Sequence, residues 1–279
     1  MLTLDLTHPK AGELLSQSFH ASADRLDLAA LAVAALEYPS LDIERTQDHL
    51  DRLARRVVAA RTDSWTPVDQ VEALRTVLVE EEDLRGNEAR YHDPENSFIN
   101  RVLDQKRGIP ISVSVVWLEV ARRAGIPLYG VGFPGHFLVA IGRDGGRLVV
   151  DPFNGGKLLS TEDCEALLRQ VVPEARLSDA LFAPTPVREI VWRMLMNLKR
   201  IYLSRGDQLR AIKVQDLLLQ LAPDHPLELR TRAALLSSLG AYRAALSDLE
   251  RVMQLGPAPD AAALKSAAKA LKERLQFVN

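Results

Sequence analysis

His136 and Asp151 are the two residues of this sequence whose types and placement best suit chemistry. An imidazole oriented by a carboxylate is a general base, and beside a nucleophile it becomes the activating half of a hydrolytic centre. His136 stands just before an apolar run at 137–141, and Asp151 just after another at 148–150. Arg143-Asp144-Gly145-Gly146 between the runs is a hairpin turn signal. An antiparallel register can set such positions side by side. The plainer reading of the pair is a hydrogen bond that pins the hairpin.

Candidate nucleophiles are few. Ser112 and Ser114 follow Pro110 on one helical stretch. At helical spacing Ser114 falls one turn beyond Pro110 on the same face, and Ser112 on the other. Ser114 can meet His136, although a mid-helix hydroxyl ordinarily bonds a carbonyl one turn back. Cys164 is the one cysteine; early in a helix its thiol pKa can be depressed. Two glycine-bearing stretches, Gly132-Phe133-Pro134-Gly135 and Asn154-Gly155-Gly156, flank the His–Asp pair and suit a cleft for an extended peptide. Phe133, Asn154 and Pro110 therefore join His136 and Asp151 in the expected binding set. His92 and Asp93 have no spacing that makes a metal site with His136, and no phosphate-binding glycine loop occurs. The expectation is no metal and no cofactor.

The elements that must position these groups follow from periodicity. Val113, Val116, Trp117, Val120 and Ala124 recur at helical spacing between Pro110, suited to the first helical position, and Gly125, suited to the left-handed end. Strands are expected at 128–133, 137–141 and 148–150. Upstream, helices are expected at 22–37, at 42–61, from the Thr66-Pro67-Val68-Asp69 cap to about residue 84 with Gly86 closing it, and after a cap at Asn96 or Ser97. The acidic run at 80–83 and the basic positions Arg55, Arg56, Arg61, Arg122 and Arg123 read as solvated faces. Ser160-Thr161-Glu162-Asp163 opens another helix to about residue 172, and Ala183-Pro184-Thr185-Pro186 reads as a linker.

Beyond it Gly206 and Gly240, Ala211 and Ala245, Leu221 and Leu255, and Pro223 and Pro257 each stand 34 residues apart. That period matches the tetratricopeptide helix pair. One pair is expected at 192–223, a second at 226–257 and a closing helix at 261–277. Gln215 and Arg232 depart from the repeat pattern. Two repeats bury too little by themselves, so they must dock on the preceding domain.

A helix followed by strands carrying His and Asp resembles the transglutaminase-like (papain-like) superfamily. The closer resemblance is to the SirB1 family, carried by D-P-E-N-S-F (93–98), R-G-I-P-I-S (107–112), G-F-P-G-H-F (132–137) and D-P-F-N-G-G (151–156). It implies an α+β, mostly helical fold: a transglutaminase-like core with a small antiparallel sheet over 1–182, then tetratricopeptide-like repeats over 183–279. In the superfamily a Gly-x-Cys places the nucleophilic thiol at the helix start. Here Gly108-Ile109-Pro110 occupies that place, so an imino acid stands where the thiol belongs.

Composition excludes other classes. The chain has 279 residues, 47% hydrophobic and 26% charged, with net charge −2. This gives no electrostatic case for nucleic acid or an acidic membrane as main partner. No run approaches the roughly 18 apolar residues of a membrane span, and residues 1–12 do not read as a secretory leader. The location expected is cytoplasmic. The functional expectation is a degenerate, non-catalytic protein, a pseudoenzyme, acting as a protein- or peptide-binding or regulatory module, the purely regulatory version binding through the repeat surface alone. The alternative is a hydrolase or amide-transfer enzyme using His136 and Asp151 with Ser114 or a water.

Overall fold

The computed structural model describes residues 8–20, 24–142, 146–256 and 259–278. At its centre lies α2 (Leu26–Ala35), whose sequence LDLAALAVAA is apolar on every side but for Asp27 and of which every residue except Leu28 is buried. A helix without a polar face belongs inside. It is packed by α1 (Pro9–Ser18), α5 (Ile99–Gln105), α6 (Pro110–Arg123) and α8 (Val187–Ser204). α3 (Ile43–Ala59) starts where the Asp42 carboxylate accepts from the Arg45 amide at 3.0 Å. α4 (Pro67–Arg75) starts with the expected Thr66–Asp69 capping box.

Three upstream expectations are corrected. α4 does not run on as a regular helix; its continuation, Thr76–Glu81, is wound as a wider π-helical turn. Gly86 does not close a helix but lies in β1 (Arg85–Gly86), which pairs in parallel with β2 (Arg107–Gly108). Asn96 and Ser97 do not cap α5. They belong to a short 3₁₀ turn, Pro94–Ser97, capped by Asp93, and Phe98 precedes α5. The acidic run lies on the surface, with Glu80, Glu81 and Asp83 exposed, and is paired there. Arg56 bridges Glu81 and Glu82, Lys106 joins Glu82, and Arg85 and Arg107 hold Asp83. Arg123 is buried against Asp27, Asp51 and Glu119, so it leaves the solvated set.

A four-stranded antiparallel sheet follows α6 in the order β3 (Tyr129–Val131), β4 (Leu138–Ile141), β5 (Leu148–Asp151) and β6 (Lys157–Leu159). β6 was not anticipated: its three residues are half or fully exposed and show no apolar alternation. Three residues of the expected hairpin turn, 143–145, lie outside the described residues. β4 is covered on both faces. Val139 and Ile141 enter the main core with α6, while Leu138 and Ala140 join a smaller cluster with Phe133, Leu168 and Phe182. This alternation is the two-residue period of a strand. α7 (Thr161–Val171) covers that second face, opened by the Ser160–Asp163 capping box.

α8 pairs with α9 (Gln208–Leu221), α10 (Pro226–Ser238) with α11 (Tyr242–Gln254), and α12 (Ala261–Val278) closes the array. The first pair starts five residues earlier than the spacing suggested, and Pro257 lies outside the described residues. The repeats share one continuous core with the N-terminal helices: Val191, Leu195 and Leu198 of α8 sit with Ala30 and Val33 of α2. The 183–186 stretch is bonded to the edge of β3, with Thr185 N donating to Gly130 O at 2.8 Å and Gly132 N donating to Thr185 Oγ1 at 2.8 Å. Among the described residues no helix is long and apolar enough to cross a membrane.

Candidate functional site

The start of α6 is fixed by its own sequence. Ser112, at the third helical position, accepts from Ile109 N at 3.0 Å and donates to Asn96 O at 2.5 Å. One hydroxyl thus ties the R-G-I-P-I-S stretch to D-P-E-N-S-F. Gly108 is required there, because a Cβ would stand 2.6 Å from Ser112 Oγ. Pro110 takes the first helical position, where the absent N–H leaves nothing unsatisfied.

His136 is delivered by a turn. His136 N donates to Phe133 O at 3.1 Å, with Pro134 and Gly135 between them and Gly135 at φ +69°. Proline followed by a positive-φ glycine is the type II signature. Asp151 ends β5, and the D-P-F-N-G-G loop wraps back on its carboxylate. Phe153 N and Asn154 N donate to Oδ1 at 3.1 and 3.3 Å, and Asn154 Nδ2 donates to Oδ2 at 2.7 Å. Gly155 and Gly156, both at positive φ, let the loop close, and a Cβ on Gly156 would meet Trp117 at 2.7 Å.

The strand register continues to Leu138 opposite Asp151, so His136 stands diagonally across rather than directly facing it. His136 Nε2 is 2.9 Å from Asp151 Oδ2. It lacks the alignment of an N–H···O bond, and this buried nitrogen has no hydrogen-bond partner. Burial opposes ionisation of Asp151 and is the largest influence on it. Together, the neighbouring His136 and the hydrogen bonds from Asn154 outweigh that burial and hold the carboxyl below its ordinary range.

Pro110, Ile111 and His136 line one cleft of about 290 Å³. Its other wall is α8 of the repeat segment, through Arg193, Asn197 and Arg200, with Tyr91 at its edge. Phe153 packs edge-on against His136 at 6.0 Å between ring centres and against Tyr91 at 6.2 Å. Arg193 Nη2 donates to His136 O at 2.9 Å and to Phe133 O at 3.4 Å, and its guanidinium lies over the Phe137 ring. Burial lowers the Arg193 pKa from its ordinary value, and Glu189 opposes the shift only in part. Sequence reasoning missed this wall. The available signal was the spacing of Arg193, Asn197 and Arg200, a polar stripe on one helix face.

The remaining expected residues are placed elsewhere. Ser114 is fully buried, and its hydroxyl donates to Phe137 O at 3.3 Å rather than to His136 or to a carbonyl one turn back. Phe133 is fully buried in the smaller cluster against Phe182, so it does not line the cleft. Asn154 is exposed and acts on Asp151. Cys164 is buried, and burial, with Asp163 nearby, raises its thiol pKa, the reverse of the depression that a helix start permits. His92 stacks edge-on against Tyr91. Among the described residues no group of three His, Cys, Asp or Glu is placed to hold a metal.

A model of the transglutaminase-like superfamily matches residues 44–196. The chain belongs to that superfamily. A tetratricopeptide-repeat model matches residues 198–275, directly after it. A UPF0162 protein of Xylella fastidiosa is 39% identical over 236 residues, covering 82% of this chain and 83% of that protein. A UPF0162 protein of Pseudomonas aeruginosa is 30% identical over 231 residues, covering 83% and 84%. Protein SirB1 of Salmonella typhimurium is 24% identical over 232 residues, covering 82% and 85%. No solved structure matches the chain. The transglutaminase-like span thus runs through most of α8, the helix that closes the His136 cleft.

Proposed function

We propose that this chain is a non-catalytic transglutaminase-like protein that binds a protein or peptide segment in the His136 cleft. The observation that carries the reading is Pro110 on the cleft lining beside His136. In the superfamily that helix start bears the thiol, and Pro110 brings neither a nucleophile nor an N–H. Ser114 offers no substitute, being enclosed and bonded to a strand carbonyl. The cleft is walled on one side by the superfamily core and on the other by a repeat helix, an arrangement suited to recognition at a boundary between two units. Within this proposal the chain divides near 182/183, with α8 serving both parts.

The His136–Asp151 pair favours one second reading, base catalysis through a water, since His136 faces the cleft with a carboxylate 2.9 Å behind it. One pair of measurements separates the two. His136→Ala should fold as the wild type does by circular dichroism while capturing less of whatever peptide or protein the wild type retains. Turnover of amide or ester substrates by the wild type, abolished in His136→Ala, would refute the binding-only reading.

A further inference from the structure

The cleft has a charge it does not itself neutralise. Arg193, Asn197 and Arg200 project from successive turns of α8 onto it, and no Asp or Glu is on its lining. Arg193 is half-buried, and its hydrogen bonds run to two backbone carbonyls and to no carboxylate. Arg200 is exposed, and no hydrogen bond or ion pair holds it among the described residues. Its field does reach the cleft, where it opposes the upward shift of the Tyr91 pKa. Opposite them stand His136, whose Nε2 lies 2.9 Å from Asp151 Oδ2, and the first turn of α6 through Pro110 and Ile111. A helix start adds the positive end of its dipole. Glu189, one turn back on α8, acts on Arg193 only through its field, and Asp151 beside His136 is already occupied by the Phe153 and Asn154 donors.

A half-buried guanidinium bonded only to carbonyls keeps its full charge available to an anion. We propose that the cleft takes the C-terminal carboxylate of a peptide, held between Arg193 and Arg200 with Asn197 and His136 beside it. This rests on the peptide-binding reading and narrows it. A cleft of about 290 Å³ is at the small end for ligand sites. It therefore suits the end of a chain better than a strand passing through, and capture of a terminal carboxylate by convergent donors is an established mode of peptide recognition.

The test uses the full chain and two synthetic pools of N-acetylated hexapeptides, randomised without Asp or Glu. One pool carries a free C-terminal carboxylate and the other a C-terminal amide. The wild type should retain the free-acid pool about tenfold more than the amide pool. Arg200→Gln, with unchanged circular dichroism, should abolish that preference, and Arg200→Lys should restore part of it. Equal retention of both pools would overturn the carboxylate inference while leaving peptide binding in place. Retention of neither would overturn both. A third arm adds inorganic phosphate. Phosphate binding at micromolar concentration without any acid-over-amide preference would assign the site to a free anion and overturn the peptide terminus as occupant.

Discussion

Lys199 and Arg200 are consecutive residues of α8, yet they sit in opposite regimes. Lys199 turns inward to the repeats, 7% exposed, and donates to both oxygens of Glu228 at 2.7 and 2.9 Å. Arg200, with Arg193 two turns back on the same face, lines the cleft and meets no carboxylate. A buried charge that is paired fixes how two helices dock, whereas a charge left unpaired at a cleft is available to a ligand. The contrast teaches that the number of charged residues on a helix says little about function. What matters is which of them the fold has already neutralised.

Four substitutions sharpen or break this contrast. The largest effect should come from Lys199→Ala, which strands the Glu228 carboxylate, 1% exposed, without its cation. Removing one partner of a buried pair costs about 3 kcal/mol, read from urea unfolding. A loss under about 1 kcal/mol would break the distinction between the two faces. Asp151→Asn should cost about 1–2 kcal/mol at pH 7, as a charge-assisted network is weakened. The native Asp151 pKa is depressed. Its contribution is therefore full above the unfolded value near 4 and lost as pH falls through the native one, so the gap between wild type and variant should begin to narrow below about pH 4 and close only below the depressed native value. A difference that persists into acid would place the effect in packing instead.

Arg193→Gln should cost about 1 kcal/mol, because the carbonyls of Phe133 and His136 lose their donor. Arg200→Gln should change stability by under about 0.5 kcal/mol by the same unfolding assay, as expected for an exposed side chain that supports nothing. Comparable destabilisation by the two arginine changes would show that Arg200 is structural after all.

Much of the frame was legible from local signals. The capping boxes at Thr66 and Ser160, Pro110 at a helix start and Gly125 at its end all act within a few residues, and each stands where the pattern put it. The approach of His136 to Asp151 followed from two apolar runs flanking a turn signal. The site was legible only in part. His136 and Pro110 share a cleft, but Phe133 and Ser114 are enclosed in cores, because which face of a strand or helix is covered depends on elements far along the chain. The parallel pairing of β1 with β2 had the same invisibility: two residues carry no period.

By itself, then, the sequence determined the order of the elements, the place of Pro110 at the start of α6, and the turns that present His136 and Asp151, since these depend on backbone stereochemistry over short spans. Only the tertiary structure decided that α8 closes the cleft with Arg193 and Arg200, that the acidic run at 80–83 is neutralised, and that Cys164 is sealed from solvent. Those outcomes bring together residues 24 to 60 positions apart, and burial of apolar surface, rather than local preference, sets that assembly.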